Sequence, residues 1–580
     1  MHDFFCRMLL AHMNKPEQGI EQRAGPPPVW MLIVLALCLW GGEYIRRDLW
    51  EPDEARFALV AREMRDGNHW LVPFRQGEFY AHKPPLMFWL INAGSALTGG
   101  HIGGLATRVP SFLGALMALW AASRLAAAWF TPRAAWLTVL LLPSSFLFWN
   151  KGGFGQIDML LCGLQMMALY GLFVGQTDGR KGWVVLACVL MGLGVLAKGP
   201  VGLLVPLGVY VAARYASGEP ARVPGHWTWG PLLALSLPAI WLGLAWWSGA
   251  PDGYFHELIF SQNIGRVAGE FGGHRRPFYY FLYHFPLDFL PWTLLLPLSY
   301  KVLRRAPEAD RGRRMLVAWI LFVILFFSIS ASKRNLYILL AYPAAAILVA
   351  AAADHWQQAS SRCLRYTFWS VFGLMTLIGV VMLAGSFMTT LPIRSVMLLP
   401  GGLVMLAGAW WAAETWRQTP RHPAWLGAAA ATMLFTFASV GALVMPEIDH
   451  HKAPHVLVGP ARALLAPGDR IIMYKQHGEI FSLYTERTGY MAFRDRDMVD
   501  FILEAPQTNH LIVARERDVA AVQRVLGPGY HPVRFEMGNK ELAWFAVADA
   551  GSLRASLRQR REAGGFMAMD REPEPPPANE

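Results

Sequence analysis

Long apolar runs, separated by short polar stretches, fill most of the chain up to residue 445. A helix needs roughly 17 to 25 predominantly apolar residues to cross the hydrocarbon core of a bilayer. Thirteen runs come close to that length, and they predict thirteen membrane-spanning helices. The runs lie at 29–47, 106–128, 133–150, 158–176, 182–197, 199–216, 230–248, 286–303, 315–331, 335–353, 366–388, 395–414 and 424–445.

One further apolar stretch, PPLMFWLINAGSALTG at 84–99, is short for a span. We expect it to lie in the membrane interface or to enter and leave the bilayer on one side. If it crossed, every later loop would change sides, and the basic cluster KVLRRAPEADRGRR at 301–314 would face outward. Inner loops carry the excess of Lys and Arg, so thirteen spans fit the charges better than fourteen.

With the N-terminus inside, two long segments, 48–105 and 249–285, lie on the outer side of the membrane. The chain beyond about residue 446 lies there too, and its pattern changes. Stretches such as GDRIIMYKQ and NHLIVARERDVAAVQRVLG read as strands and a strand followed by a helix. They predict a small outer-face α/β domain.

Four segments follow from this pattern. Residues 1–28 are expected to be a cytoplasmic segment, 29–445 the transmembrane domain, and 446–550 the α/β domain. Residues 551–580 are expected to be a disordered tail, because their end, EPEPPPANE, is rich in Pro and Glu.

Composition agrees with a bilayer environment. Hydrophobic residues make up 54% of the chain and charged residues 16%, against about 25% charged in soluble proteins. The formal charge of +11 comes from basic residues between the apolar runs, with no nucleic-acid-binding motif beside them. The five cysteines are far apart in sequence, which argues against a disulfide framework or a zinc site.

Ionisable residues collect on the outer side, several of them at the very ends of spans. A single Lys or Arg there could simply reach water and anchor its helix. The set is harder to explain that way, because carboxylates accompany the cations on the same face. Such cations suit a lipid phosphate, and a carboxylate beside that phosphate suits a general base. The set comprises Glu51, Asp53, Glu54, Arg56, Lys83, Lys151, Asp158, Lys198, Arg266, His274, Arg275, Arg276, Lys333 and Arg334.

Six motifs in order give this chain a family resemblance. They are D-E-x-R-F (53–57), G-E-F-Y-x-x-K-P-P (77–85), G-Q-I-D (155–158), A-K-G-P (197–200), Q-N-I-G-R…H-R-R-P-F-Y-Y (262–280) and S-x-x-K-x-x-x-Y (330–337). The chain resembles the polyprenyl-phosphate-sugar-dependent glycosyltransferases of the C-type membrane fold. Within them it is most similar to the aminoarabinose lipid A transferases, with the protein O-mannosyltransferases as more distant relatives.

The resemblance implies roles for the matching residues. Asp53 matches the catalytic carboxylate of the first outer loop, and Asp158 the carboxylate of the second. The resemblance also implies an inverting displacement at the anomeric carbon, with polyprenyl phosphate leaving. The residues implied to bind donor phosphate and lipid are Arg56, Tyr80, Lys83, Lys198, Lys333 and Tyr337, together with Arg275 and Arg276, of which either could be the phosphate-contacting arginine.

One departure concerns a metal. Many aminoarabinose transferases have Glu before the Lys-Pro-Pro, and that Glu is linked to a metal position along with a later histidine. This chain has His82 there, and His274 is the later histidine. Imidazole can bind zinc, but two histidines are thin support, so no cofactor is expected to be required and a divalent metal stays conceivable.

The leading functional hypothesis is a sugar transfer from a polyprenyl-phosphate donor to lipid A or another acceptor, at the periplasmic face of a bacterial inner membrane. A protein O-glycosyltransferase would differ only in its acceptor. A lipid-linked-sugar transporter would place ionisable groups at mid-bilayer and break helices in paired repeats. A non-catalytic assembly protein is the remaining alternative.

Overall fold

The computed structural model describes most of the chain, with gaps. The described residues are 25–177, 179–219, 229–265, 275–388, 393–453, 455–466, 468–476, 478–504, 508–537, 540–547 and 551–562. Most of the expected N-terminal segment, and the end of the expected tail from residue 563, lie outside these ranges.

Within that part of the chain, nine helices are long and apolar enough to cross a membrane. Their positions agree with nine of the thirteen predicted spans, so the protein is a polytopic helical membrane protein. The nine are Val29–Arg46, Gly104–Trp129, Ile157–Gly175, Lys181–Lys198, Gly230–Trp247, Pro307–Ile329, Ser361–Gly385, Ser395–Gln418 and Ala424–Ile448.

Two more predicted spans are short helices. The run at 199–216 forms Val201–Ala216. The run at 335–353 forms a 3₁₀ turn, Asn335–Ile338, followed by the helix Ala341–Ala353. The first residues of that run therefore do not belong to a continuous span, which corrects the prediction.

The last two predicted spans, 133–150 and 286–303, are also wrong as single helices. The first is divided into Pro132–Leu141 and Phe146–Gly153. The second becomes three pieces, Tyr280–Asp288, Trp292–Leu295 and Leu296–Arg305. Prolines explain the breaks, because each removes a backbone donor and its ring clashes with the preceding turn. They are Pro143 in the first run and Pro291 and Pro297 in the second.

The short apolar stretch at 84–99 does not form a full span. It contains the helix Leu86–Ser95 and a 3₁₀ turn, Ala96–Thr98. At about 1.5 Å per residue, ten residues cover only about half of the hydrocarbon core. The helix Leu86–Ser95 packs against the helix Asp53–Asp66. Asn92 of the first helix donates a hydrogen bond to the carbonyl of Ala61 in the second, at 2.8 Å.

The C-terminal region is a mixed α/β unit, as predicted. Apart from this unit, the segment 48–105 contains a short antiparallel hairpin of β1 (Phe74–Arg75) and β2 (Glu78–Phe79). The C-terminal sheet has the strand order β4-β3-β5-β7-β6, parallel across β4-β3-β5 and antiparallel across β5-β7-β6. Its strands are β3 (Arg470–Tyr474), β4 (Thr488–Ala492), β5 (His510–Arg515), β6 (Val533–Met537) and β7 (Lys540–Val547).

Helices cover both faces of this sheet. They are His455–Leu464, Glu479–Thr485, Asp495–Glu504, Val519–Leu526 and Gly551–Glu562. The last of them lies in the segment expected to be disordered and buries Leu557 against the sheet core. The expectation of a disordered tail from residue 551 is therefore wrong for the part up to Glu562.

The C-terminal unit is bound to the segment 48–105. The ammonium of Lys540 pairs with the carboxylate of Glu51 at 2.8 Å. The guanidinium of Arg62 donates to the carbonyl oxygens of Ser482 and Leu483, each at 3.1 Å. The helix Asp53–Asp66 and the residue Glu51 just before it thus contact a domain that begins some four hundred residues later.

Two spans cross in close contact through glycine. A Cβ added at Gly163, in the helix Ile157–Thr177, would overlap the backbone carbonyl of Gly114 in the helix Gly104–Trp129. Small residues commonly permit such close approach between membrane helices. This crossing sets the distance between the spans that begin near Arg108 and Asp158.

We expect Gly163→Ala to destabilise the protein by about 1–3 kcal/mol, because the crossing cannot accept another methyl without a backbone shift. Thermal unfolding of the purified protein in detergent measures the change. Gly243→Ala is the matched control, since no atom lies within 4 Å of a Cβ there. Equal unfolding temperatures for the two variants would contradict the close-crossing interpretation.

Candidate active site

Asp53 is the first residue of the helix Asp53–Asp66, directly after the first span. Its side chain is buried, and both oxygens are used. Arg56, one turn further along the same helix, donates to Oδ1 at 2.5 Å. Arg334 donates to Oδ2 at 2.8 Å, and Gln156 donates to the same oxygen at 3.2 Å. Three separate parts of the chain therefore meet at this carboxylate.

The environment keeps Asp53 ionised. Burial by itself would raise the pKa of this carboxyl, but Arg56 and Arg334 outweigh burial and hold the pKa well below its usual value. The position at a helix N-terminus also favours negative charge. A carboxylate with so low a proton affinity is a strong partner for cations and a weak base.

Glu54, the next residue, makes a separate and more deeply buried cluster. Its carboxylate receives hydrogen bonds from Arg47 at 2.9 Å on each oxygen, and from Arg108 at 2.9 and 3.3 Å. The amide of Gly155 donates to Oε1 at 2.8 Å. Burial alone would raise the pKa of Glu54. Arg108 and Arg47 together have a larger, opposite effect and lower the pKa to about 2.

Consecutive residues of the helix thus bind consecutive residues of a distant loop. Glu54 accepts from Gly155, and Asp53 accepts from Gln156. Ser111 fixes this loop, because its hydroxyl accepts from the amide of Gln156 at 2.8 Å and donates to the carbonyl of Gln156 at 3.1 Å. The Glu54 cluster therefore sets the position of the Asp53 carboxylate.

The second predicted carboxylate, Asp158, pairs with Lys198 across the ends of two neighbouring spans. The ammonium of Lys198 also lies 4.5 Å from the centre of the Tyr337 ring. The motifs G-Q-I-D, A-K-G-P and S-x-x-K-x-x-x-Y therefore meet in space. Gln156 and Arg334, which contact Asp53, belong to the first and the last of these motifs.

The segment 330–337 connects these groups residue by residue. Ser332 pairs with Arg275 as an isolated β-bridge, and Lys333 donates to the carbonyl oxygens of Arg276, at 3.2 Å, and of Ser330. Arg334 binds Asp53, and Tyr337 faces Lys198. One short segment thereby joins the 275–276 loop, the Asp53 carboxylate and the Asp158–Lys198 pair.

Two predicted donor-binding groups have other surroundings than expected. The ammonium of Lys333 is buried and bound to backbone carbonyls, so it ties loops together in this structure. The side chains of Arg275 and Arg276 are exposed at the rim of the site. Their binding roles stay predictions.

Tyr80 and His82 lie close together in the segment 48–105. Tyr80 is buried, with the guanidinium of Arg75 5.4 Å from its ring centre and the His82 ring at 5.0 Å. His82 Nε2 lies 3.3 Å from Glu257, yet burial lowers the pKa of His82 to about 4. Lys83 follows them in sequence, with part of its side chain accessible.

The described residues offer a metal two neighbouring ligands, His82 and Glu257. No group of three His, Cys, Asp or Glu side chains suited to a metal occurs among the residues that the structure describes. His274, the other histidine considered from the sequence, lies outside those residues. Since His82 and Glu257 supply two donors, no chemical step is assigned to a metal here.

Sequence reasoning missed Gln156, Arg108 and Arg47 as site residues. It included Arg334 among the outer-side charges, but nothing in the sequence shows that Arg334 or Gln156 faces Asp53. Arg108 left a clearer signal, because an arginine inside an apolar run is expensive in a membrane and needs a partner. Arg47 likewise follows the first span directly and pairs with Glu54.

Comparisons with known proteins show which families this chain is similar to. Residues 82–246 match the family described as dolichyl-phosphate-mannose-protein mannosyltransferase. The undecaprenyl phosphate-alpha-4-amino-4-deoxy-L-arabinose arabinosyl transferase of Edwardsiella ictaluri is 30% identical over 331 residues, covering 55% of this chain and 58% of that protein. The enzyme of the same name from Pseudomonas paraeruginosa is 29% identical over 453 residues, covering 74% and 78%.

A solved structure shows the same fold. ArnT from Cupriavidus metallidurans bound to undecaprenyl phosphate superposes with a TM-score of 0.75 at 22% identity, covering 90% of this chain and 98% of that one. The first relatives by sequence are matched over only 58% to 66% of their length. The resemblance to polyprenyl-phosphate-sugar-dependent membrane glycosyltransferases is confirmed.

We expect Glu54→Gln to destabilise the protein by about 3–5 kcal/mol, because two buried arginines lose the charge that compensates them. Urea or thermal unfolding in detergent measures the loss. Glu78→Gln, an exposed glutamate in β2, is the control and should unfold like the wild type.

The outcome that would contradict this interpretation is a Glu54→Gln variant as stable as the control. The low pKa adds a pH test. The charge interactions of Glu54 stabilise the fold fully above pH 4.5, its ordinary pKa, and are lost as the pH falls towards about 2. The variant should lack this component of acid sensitivity.

Proposed function

We propose that this protein transfers a sugar from a polyprenyl-phosphate donor to lipid A or another acceptor at the periplasmic face of the inner membrane. The names of the relatives make 4-amino-4-deoxy-L-arabinose, or a related sugar, the first donor to test. The observation that carries the proposal is the convergence of Asp53, Arg56 and Arg334 with the Asp158–Lys198 pair.

The membrane arrangement is part of the proposal. Thirteen passes place the 48–105 and 249–285 segments and the C-terminal unit on one side, which is the periplasmic side if the basic inner loops are cytoplasmic. The two broken segments and the two short helices then complete the count that begins with the nine long helices. The contact between Lys540 and Glu51 supports a common side for the first outer loop and the C-terminal unit.

The reaction is an inverting displacement. An acceptor oxygen attacks the anomeric carbon of the sugar from one face. The bond from that carbon to the phosphate oxygen breaks, and polyprenyl phosphate leaves with the electron pair. Lys83, Lys198 and the rim arginines would hold the phosphate, while Tyr80 and Tyr337 line the donor site. No metal is required in this scheme.

Asp53 limits the choice of acceptor. Both of its oxygens bind cations or Gln156, and its pKa is well below the usual value. Such a carboxylate orients Arg56 and Arg334 strongly but takes up a proton poorly. An acceptor oxygen that is already ionised, such as a phosphate oxygen of a lipid, suits this site better than a neutral alcohol.

A protein acceptor is the second candidate. The matched family is described as a protein mannosyltransferase, which favours it. A serine or threonine hydroxyl would have to lose its proton to Asp53 during the reaction. The two candidate acceptors therefore differ in whether Asp53 has to accept a proton during the reaction.

We expect Asp53→Asn to lower sugar transfer by at least about 100-fold, because Arg56 and Arg334 lose the charge that orients them. Transfer of labelled sugar from a polyprenyl-phosphate donor to extracted lipids measures the effect. Asp252→Asn, an exposed carboxylate of the other outer segment, 249–285, is the control and should stay active. Transfer by Asp53→Asn within threefold of the wild type would refute the catalytic role.

Mass spectrometry of lipid A and of periplasmic glycoproteins, from cells with and without the gene, decides between the acceptors. We expect lipid A to lose a sugar-sized mass in the deletion strain, and the wild-type gene to restore it. A change confined to glycoproteins would favour the protein acceptor. No change in either class would overturn the transferase proposal.

A further inference from the structure

Lys151 is a cation that the assignments above leave unused. It lies in the last turn of the short helix Phe146–Gly153 and is half-buried. Its ammonium is 5.6 Å from the centre of the Phe154 ring. It makes no hydrogen bond or ion pair with any residue that the structure describes.

Every neighbouring charge has a partner. Asp53 binds Arg56 and Arg334, and Asp158 binds Lys198. Asp288 accepts a hydrogen bond from Asn335 at 3.1 Å, with His284 Nδ1 at 3.7 Å. The charges that act on Lys151 are those of Arg334, Asp53, Asp158 and Asp288. Each of the three carboxylates attracts Lys151 through space, but none pairs with it directly.

This position is unfavourable for the charged lysine until an anion arrives. A partly buried charge is normally paired. An anion brought by a substrate would supply the missing partner.

We propose that Lys151 binds a phosphate oxygen of the polyprenyl-phosphate donor, between the Asp53 and Asp158 groups. The proposal rests on the proposed function, which brings a lipid phosphate to this face. Lys198 is already neutralised by Asp158, and Asp53 offsets part of the charge of Arg56 and Arg334. Lys151 adds positive charge that no side-chain carboxylate binds directly, and a lysine serves a phosphate as a point charge.

During transfer the phosphate changes from a diester to a leaving monoester. The bond from the anomeric carbon to the phosphate oxygen breaks, and the electron pair stays on that oxygen. The phosphate therefore gains negative charge as the bond breaks. A cation held close to it stabilises the leaving group more than the bound donor.

The test is binding of undecaprenyl phosphate, without acceptor, to the purified full-length protein in detergent. We expect Lys151→Met to raise Kd about 10- to 100-fold, the usual worth of a charge-assisted hydrogen bond. Lys151→Arg should restore Kd to within about fivefold. Lys301→Met, an exposed lysine of the basic 301–314 cluster, is the matched control and should bind like the wild type.

A purely structural role for Lys151 predicts different results. Since the ammonium has no described partner, Lys151→Met should keep the unfolding temperature of the unliganded protein. In addition, wild-type affinity should fall at alkaline pH as the lysine loses its proton, whereas Lys151→Arg should keep its affinity there. A lowered unfolding temperature together with unchanged Kd would overturn the proposal.

The remaining outcomes separate the sources of failure. If the wild type does not bind undecaprenyl phosphate, the proposed function fails and this proposal fails with it. If the wild type binds and Lys151→Met binds equally well, only the role of Lys151 is refuted. If donor binding is unchanged but KM for a phosphorylated acceptor rises, the phosphate belongs to the acceptor and the donor assignment is overturned.

Discussion

Glu54 accepts hydrogen bonds from Arg47, Arg108 and the amide of Gly155, and almost none of its surface reaches solvent. Arg47 follows the first span, Arg108 begins the second, and Gly155 precedes the span that starts at Ile157. One carboxylate thus fixes the ends of three spans relative to each other. Removing two arginines from water is costly, and only a complete set of hydrogen bonds offsets that cost. This arrangement also fixes the position of the adjacent residue, Asp53.

The two neighbouring acidic residues have different roles. Glu54 is fully buried beneath its two arginines, so a substrate cannot contact it. Asp53 is held by Arg56 and Arg334, both of which keep part of their side chains accessible. A phosphate can therefore approach the cations around Asp53 while the cluster behind it stays intact. The segment 330–337 links the parts of this site. Lys333 donates to the carbonyl of Arg276, Arg334 binds Asp53, and Tyr337 faces Lys198.

Much of the architecture could be predicted because apolar length and loop charge depend on local sequence. The breaks at 133–150 and 286–303 were missed although Pro143 and Pro291 were visible, because apolar runs were counted without regard to proline. Asp53 and Arg56 could be paired from their spacing in one helix. Their partners Gln156 and Arg334 could not, because the residues are joined only by tertiary packing. The helix Gly551–Glu562 was missed because the composition of the final residues was extended to the whole tail.

The contacts between the C-terminal unit and the segment 48–105 affect the order in which the protein can be assembled during synthesis. Lys540 meets Glu51 across 489 residues of chain. At roughly 5–20 residues per second, translation separates the two by about half a minute to a minute and a half. The loop that carries Asp53 therefore lacks its contacts with the C-terminal unit until that unit has been synthesised and has folded. A chain that stops early would reach the membrane with its spans in place and this loop uncovered, so truncated products are open to proteolysis at the segment on which the site is built.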